Sequence, residues 1–337
     1  MLSRRRPLRN LIESRRVRAC VRWLLPPVVA VLLFASLWRE FPQALATIGR
    51  TRPLALLALP LFVIWNQVAT VAWQRLLRAA GASEATLSAL VRFRIEAQAI
   101  NQLVPSAGLA GEVMRTASAA GSVRIVPAAL ATTLDNVAGT AAGLVFALAA
   151  ITPRLLSPAG DGDFAKLALA GGLGLSLLAS VCALPFLAAP RFLARFAPEG
   201  LAHEFCALFV ERDRALRRAL RHALALRLME RVLGAAEMYV LFRATGQDVS
   251  LADAALVSAV IVLVSFAAFF LPGQIGVAET AVSSVGVLLG IPAAAGLSAA
   301  LLRRARQLVV CLVGVVSLLV RRFGLRPVQP PACGEAS

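Results

Sequence analysis

The sequence contains little of what soluble enzymes use for chemistry. It has one lysine, Lys166, and two histidines, His203 and His222, which lack the spacing of metal ligands. Its five cysteines form no C-x-x-C pair, and their odd number argues against a disulfide framework. The chain also lacks a phosphate-binding P-loop motif, a G-x-S-x-G nucleophile elbow and a zinc-binding H-E-x-x-H motif. We therefore expect no metal, no cofactor, no intrinsic ATP hydrolysis and no enzyme activity.

Apolar sequence, in contrast, is abundant. Hydrophobic residues make up 59% of the chain and the mean hydropathy is +0.76, whereas soluble domains are only about half apolar. The net charge of +17 comes almost entirely from arginines between the apolar segments, where they act as topology signals and contacts for anionic headgroups. This distribution indicates an integral membrane protein. It argues against nucleic-acid binding, which uses a basic surface on a soluble fold.

The apolar segments predict an all-α fold. A helix needs roughly 20 apolar residues to cross a hydrocarbon core about 30 Å thick. Seven segments approach this length: 23–38, 54–74, 126–151, 166–189, 223–242, 251–271 and 305–320. The segment 84–104 has helical periodicity but is interrupted by Arg92, Arg94, Glu96 and Gln98, so we expect an interfacial helix or one arm of a re-entrant hairpin. We predict a polytopic integral membrane bundle of about seven or eight spans.

Basic residues set the expected orientation and domain organisation. Residues 1–22 carry eight arginines against one acid, and no A-x-A-like site follows, so we expect a cytoplasmic N-terminus and an uncleaved first helix. The basic segment 190–222, which includes an amphipathic helix at 199–222, should lie on the same side. Residues 23–322 would form one transmembrane domain and 323–337 a short tail. The side of that tail stays open, because its arginines favour the cytoplasm whereas seven spans would place it outside.

Two segments repeat one pattern of residues. Each has an apolar run, a proline, small residues with glycine, and a glutamate seven positions after the proline. The pattern residues are Pro105, Gly108, Gly111 and Glu112 in the first segment and Pro272, Gly273, Gly276 and Glu279 in the second. Proline ends an incoming helix, glycine permits a tight turn, and the next helix N-terminus attracts anions. Paired Pro/Gly-broken segments are typical of a transporter's binding site, so we predict two re-entrant motifs that form an internal repeat. The alternative is a pair of surface loops, each with a capping acid.

Ionisable residues within the apolar segments are candidate pathway residues. Glu112 and Arg115 lie three residues apart, which predicts either a local ion pair or an arginine that binds a lipid phosphate beside an orienting acid. Asp135 interrupts the span 126–151, and its candidate partners are Arg115 and the arginines at 303–306.

Charged residues near the ends of the last spans either line the pathway or reach towards lipid headgroups. Three of them open the last predicted span: Arg303, Arg304 and Arg306. They either snorkel to headgroups or line the pathway. We expect Glu230 and Arg231 to lie near the end of the 223–242 helix and to snorkel, whereas the deeper Glu237 needs a polar environment.

Three stretches of the chain resemble a known family. They are NQLVPSAGLAGEVMR from Asn101 to Arg115, ATTLDNVAGTAAGLVFAL at 131–148, and LPGQIGVAETAVSSVGVLLGIPAAAGLSAALLRRARQLVVCLVG at 271–314. They are similar to the flippase-like transmembrane region of lysylphosphatidylglycerol synthases, and the resemblance covers most of residues 23–322. Within that group the chain looks most like the hopanoid-biosynthesis-associated membrane proteins. The sequence carries no aminoacyl-transferase domain, so we expect no synthesis of a lysyl lipid.

The resemblance implies lipid translocation at a bacterial inner membrane, with a hopanoid or another polar lipid as cargo. The expected pathway consists of the two repeated patterns together with Asn101, Arg115, Asp135, Arg303 and Arg304. Two other functions fit the sequence. One is a membrane-embedded enzyme that modifies lipid headgroups through Glu112 and Glu279, and the other is a scaffold whose basic surface recruits lipid-biosynthesis enzymes. The expected partners are membrane lipids with anionic or polar headgroups, and the oligomeric state is open.

Overall fold

Helices account for most of the chain that the structure describes. A computed structural model describes residues 38–82, 85–104, 109–121, 125–156, 204, 207–208, 210–267 and 276–323. The elements are α1 (Phe41–Gly49), a 3-10 helix (Pro53–Leu57), α2 (Ala58–Ala80), α3 (Leu87–Leu103), α4 (Leu109–Ala120), α5 (Ile125–Leu156), α6 (Asp213–Ala244), α7 (Leu251–Ala267), α8 (Val277–Leu288) and α9 (Ala293–Phe323). These residues include no strand, which confirms the all-α prediction. The predicted span 166–189, and that at 23–38 apart from Trp38, lie outside the described residues.

Local chemistry fixes several helix ends. The α2 helix stops at Gly81, whose φ of 72° is a left-handed conformation that glycine adopts without steric cost. The α3 helix starts after Thr86, whose Oγ1 accepts a hydrogen bond from the backbone N–H of Ala89. The α8 helix starts after Gly276, again with a left-handed φ of 83°. The short α4 and α8 helices, with 12 residues each, contain the ends of the two repeated patterns, and each has the pattern's glutamate in its first turn.

Two helices are longer than the sequence indicates. The α6 helix has 32 residues, about 48 Å at 1.5 Å per residue, and joins the predicted amphipathic segment to the predicted span 223–242 without a break. The prediction of two separate elements, an amphipathic helix at 199–222 and a span at 223–242, is therefore wrong for 213–244. The reason is that Leu216, Ala219 and Ala223 are buried at helical spacing, which continues one packed face into the span. The α9 helix similarly begins at Ala293, twelve residues before the predicted start of the last span.

The long α6 helix is central to the packing. It contacts α2, α5 and α7, while α9 contacts α3, α8 and α1. The α3 helix lies against α4 and α9 and buries the side chains of Arg94 and Glu96 in these contacts. Both alternatives for 84–104, an interfacial helix and one arm of a re-entrant hairpin, stay predictions.

The distribution of polarity differs from that in a soluble protein in two respects. Leu312 and Val320 on α9 are 64% and 63% exposed, and Val63 and Ile64 on α2 are each half exposed. Charged side chains are instead buried: Arg94, Glu96, Arg115, Asp135, Arg227, Glu230, Glu237, Glu279 and Arg306. This arrangement is unfavourable for a protein surrounded by water, because soluble proteins rarely bury so many ionisable groups. A hydrocarbon surrounding favours it, because apolar side chains then face lipid and charges find partners inside.

Among the described residues, two helical segments are long and apolar enough to span a bilayer by length and composition. They are Pro53–Ala80, of which 28% of the most apolar window is buried, and Ile125–Arg154. The low burial of the first leaves most of its apolar surface for contact with lipid. Leu251–Phe266 and Val277–Leu288 are shorter apolar helices. The charges of α6 and α9 lower the hydropathy of these two helices, although their length exceeds the hydrocarbon thickness.

The α3 and α4 helices approach each other most closely at Gly111. A methyl group at this position would lie 2.3 Å from the carbonyl oxygen of Ala97 and 2.5 Å from Oδ1 of Asn101. The backbone N–H of Gly111 donates a hydrogen bond of 2.8 Å to the same Asn101 oxygen. Only glycine permits both the contact and the hydrogen bond.

We expect Gly111→Ala to destabilise the protein by about 1–3 kcal/mol or more, because α4 must move away from α3. Gly234→Ala on α6 is the matched control, since nothing lies within 4 Å of a methyl group there and alanine favours the helix. Thermal unfolding of the purified chain in detergent measures both changes. Equal melting temperatures for the two variants would contradict the close approach.

Candidate functional site

A single buried carboxylate, that of Asp135 in the middle of α5, is the centre of the site. It is fully buried and contacts arginines from three other helices. Its Oδ2 lies 2.9 Å from Nη1 of Arg115 on α4 and 3.6 Å from Nη1 of Arg94 on α3. Arg227 on α6 donates to Oδ1 from Nε at 3.0 Å and to Oδ2 from Nη2, which makes this pair bidentate. The carboxylate therefore joins α3, α4, α5 and α6.

Two further acids complete what we call the Asp135 network, which consists of Asp135, Arg94, Arg115, Arg227, Glu112 and Glu230. Arg115 donates to Glu112 at 2.6 Å and to Asn136 at 3.1 Å. Arg227 donates to Glu230 at 2.7 Å. Since guanidinium groups carry several donors in a fixed plane, each of these two arginines binds two carboxylates at once.

An aromatic side chain supports Arg115 from outside the network. The guanidinium carbon lies 4.6 Å from the ring centroid of Trp73 on α2, a cation–π distance. The ring is fully buried and its Nε1 donates to Thr132 on α5 at 3.2 Å. Arg115 is thus held on one side by acids and on the other by a fixed indole.

The Asp135 network borders a cavity of about 320 Å³, which we call the larger cavity. Its charged lining residues are Arg94, Arg115, Arg227, Arg231, Glu112 and Glu230. Uncharged polar groups come from Gln98, Asn101, Asn136 and Thr140. The volume is at the lower end of the roughly 300–1,000 Å³ of ligand sites, so it suits a small polar group rather than a whole lipid.

A second buried pair lies between α6 and α9. Arg306 and Glu237 approach to 2.6 Å, and Nε1 of Trp65 donates to the same carboxylate at 3.2 Å. The guanidinium of Arg306 also lies 4.6 Å from the ring centroid of Phe62. These groups, except Phe62, line a smaller cavity of about 90 Å³. Glu230 and Arg231 line both cavities, so they form the wall between them.

The second repeated segment has its own ion pair. Glu279 accepts a hydrogen bond from the backbone N–H of Gly276 at 3.0 Å and one from Nε of Arg304 at 2.7 Å. It therefore caps α8, as the surface-loop alternative expects of such an acid. In the first segment Glu112 binds Arg115, and Asn101 accepts the hydrogen bond from the backbone N–H of Gly111.

Several sequence predictions are confirmed here and others are wrong. The Glu112–Arg115 pair and the contact of Arg115 with Asp135 are as predicted. The arginines at 303–306 do not contact Asp135; Arg304 and Arg306 bind Glu279 and Glu237 instead, and Arg303 lines the smaller cavity. The candidate pathway residues therefore divide into two groups. One lies around Asp135 and the larger cavity, and the other lies near Glu279 and the smaller cavity. Pro105, Gly108, Pro272 and Gly273 lie outside the described residues.

The snorkelling prediction for Glu230 and Arg231 is wrong. Glu230 is only 7% exposed, and both residues lie in the middle of α6 because that helix begins at Asp213. Snorkelling is also wrong for Arg304 and Arg306, whose guanidinium groups bind acids of the interior.

The sequence reasoning missed Arg94 and Arg227 as partners of Asp135. A signal was present, since Arg94 follows Leu90 by four residues and Arg227 follows Ala223 by four residues on faces that are otherwise buried. A charge at a core position of an apolar face indicates a buried partner. Among the described residues, no group of three or more histidines, cysteines or acids is arranged to hold a metal ion.

Buried charges and polar cavities inside helices with apolar outer surfaces define a membrane-embedded helical domain. The chain belongs to the family described as the lysylphosphatidylglycerol synthase TM region, whose model matches residues 23–314. This family is a membrane domain associated with lipid-related functions, which confirms the resemblance seen in the sequence. No curated protein and no solved structure shows a significant match to the chain.

We expect Asp135→Asn to lower the free energy of unfolding by about 3–5 kcal/mol, because the change leaves buried arginines without their shared counter-charge. Asp213→Asn is the control, since that acid forms a surface pair with Arg217 and has a side chain 37% exposed. Chemical denaturation in mixed micelles compares the two variants with the wild type. A stable Asp135→Asn protein would show that the arginines do not depend on this carboxylate.

Proposed function

We propose that the protein translocates a polar lipid across a bacterial inner membrane, with the headgroup in the larger cavity and the acyl or ring tails in the bilayer. The observation that carries this proposal is a charged cavity within helices whose outer surfaces are apolar. A polar headgroup loses its hydration at membrane depth, at a cost of several kcal/mol. Arginines and acids that line a cavity replace the lost water contacts and so lower the barrier.

The two short helices support a paired arrangement of pathway elements. Both α4 and α8 have 12 residues and a glutamate in the first turn, and each glutamate binds an arginine. Inverted or parallel repeats of this kind build the substrate sites of many transporters. We propose that the repeated segments are re-entrant motifs and that the N-terminus of the chain is cytoplasmic.

The absence of an ATP-binding motif in the sequence limits the energy source. Translocation would then be facilitated or ion-coupled. Of the three acids in the Asp135 network, Glu112 has the most exposed side chain, at 30%. It lies at the cavity next to Arg115, where it can respond to a bound headgroup. We propose transport rather than enzyme catalysis, because Glu112 and Glu279 are both engaged by arginines. The family resemblance suggests a hopanoid or another polar lipid as the cargo.

The test is leaflet-resolved lipid translocation in proteoliposomes that contain the purified full chain. We expect Arg115→Ala and Glu112→Gln to reduce the rate by about tenfold or more, because each removes a charge-assisted contact worth about 1.5–3 kcal/mol. Glu279→Gln should reduce it as well if both repeated segments form the pathway. Arg217→Gln, an exposed arginine on the same protein, is the control for charge.

A scaffold role is the second candidate, and one observation favours it. The first three turns of α6 expose arginines on the face opposite their buried leucine and alanines: Arg214, Arg217, Arg218 and Arg221. Such a basic face suits an acidic protein partner or anionic lipid. Loss of cellular function in the Arg217→Gln and Arg218→Gln double variant, with normal function in Glu112→Gln, would favour the scaffold over the transporter.

A further inference from the structure

The charges around the larger cavity do not balance. Four arginines line it, Arg94, Arg115, Arg227 and Arg231. Within the described part of the chain, three acids line it or bind these arginines: Asp135, Glu112 and Glu230. The nearby acid Glu96 does not contribute, because it binds Ser317 and Arg321 on the other side of α3. Among the described residues one positive charge is therefore in excess at this cavity, and an uncompensated buried charge is costly.

The excess charge is localised at Arg94. Its side chain is 8% exposed, and Asp135, at 3.6 Å, is its one carboxylate partner within the described part of the chain. Both oxygens of that acid already accept hydrogen bonds from Arg227, and one also accepts from Arg115. Consequently Nε and Nη1 of Arg94 have no hydrogen-bond partner among the described residues.

A further unsatisfied donor belongs to an arginine of another helix. Arg231 on α6 donates from Nη2 to the carbonyl oxygen of Gly139, but its Nε is buried without a partner in the described chain. Both arginines line the larger cavity. Native proteins satisfy nearly all buried donors, so donors that line a cavity in this way indicate a ligand that accepts hydrogen bonds.

We infer that the larger cavity binds the phosphate of its ligand, with Arg94 and Arg231 as the residues that select an anionic headgroup over an uncharged one. This inference rests on the proposed function and names the class of lipid. A phosphodiester carries one negative charge, which balances the excess arginine. Its oxygens accept hydrogen bonds from several directions, which matches the planar donor sets of guanidinium groups. An uncharged hydroxyl headgroup would satisfy donors but leave the excess charge.

The same chemistry has two sources, a phospholipid headgroup or free inorganic phosphate. Calorimetric titration of the full chain in uncharged detergent distinguishes them with three probes. These are short-chain phosphatidylglycerol, sodium phosphate and short-chain diacylglycerol, which has the same tails and an uncharged hydroxyl. We expect phosphatidylglycerol to bind at least about tenfold more tightly than diacylglycerol, which corresponds to one charge-assisted contact.

The variant that tests the site is Arg94→Gln, which removes the excess charge and should leave the fold intact. We expect it to weaken phosphatidylglycerol binding by about tenfold or more and to leave diacylglycerol binding unchanged. Arg92→Gln is the matched control, because this residue is on the same helix, is 52% exposed in its side chain and does not line the cavity. If Arg94→Gln fails to fold, Arg231→Gln tests the same contact from α6.

Each outcome decides something. Binding of sodium phosphate alone, lost in Arg94→Gln, would support the anion site and identify free phosphate as the ligand. Equal affinity for phosphatidylglycerol and diacylglycerol, or unchanged binding in Arg94→Gln, would overturn the inference. In proteoliposomes, equal rates of phosphatidylglycerol translocation by wild type and Arg94→Gln would overturn it but leave the proposed transport intact. Tight, Arg94-dependent binding without any translocation would overturn the transport proposal and leave the anion site.

Discussion

The contact between Asp135 and its three arginines constrains the rest of the structure. In a bilayer, burial of apolar surface does not drive helices together, since lipid tails are as apolar as leucine. Polar contacts and close packing must then define how helices are placed along one another. Arg115 and Arg227 reach the same carboxylate from different helices, so their hydrogen bonds fix the relative heights of α4, α5 and α6. A shift of one helix by a turn, about 5.4 Å, would break these bonds.

Small residues make this polar centre possible. Gly139 on α5 lies one turn after Asp135, and a methyl group there would be 3.7 Å from the guanidinium of Arg227. Gly143, one turn further, leaves only 3.1 Å between such a methyl group and Cγ1 of Val262 on α7. This Gly-x-x-x-Gly pattern thus provides close packing on one side of α5. The long arginine side chains occupy the volume that these glycines leave open.

Features that depend on residues close together in the chain could be predicted, whereas contacts between residues far apart in the chain could not. The helical class, the Glu112–Arg115 pair and the isolated acid at Asp135 could be predicted, because they depend on hydropathy and spacing within one segment. The partner Arg227 could not, since it lies 92 residues away in the chain and only packing of α5 against α6 brings it close. The depth of Glu230 was misjudged for a related reason. Hydropathy placed the start of its helix at 223, whereas packing of a buried stripe starts that helix at Asp213.

The wall shared by the two cavities has a thermodynamic consequence. Glu230 binds Arg227 on the side of the larger cavity, and together with Arg231 it also lines the space next to Glu237 and Arg306. A molecule that binds in one cavity and reorients Glu230 or Arg231 also changes the electric field and the hydrogen-bond donors in the other cavity. Occupancy of the two compartments is therefore linked, and linkage is reciprocal: whatever factor the first occupant imposes on the affinity of the second is returned unchanged. In the transport that we propose, such coupling would release a headgroup when an ion arrives.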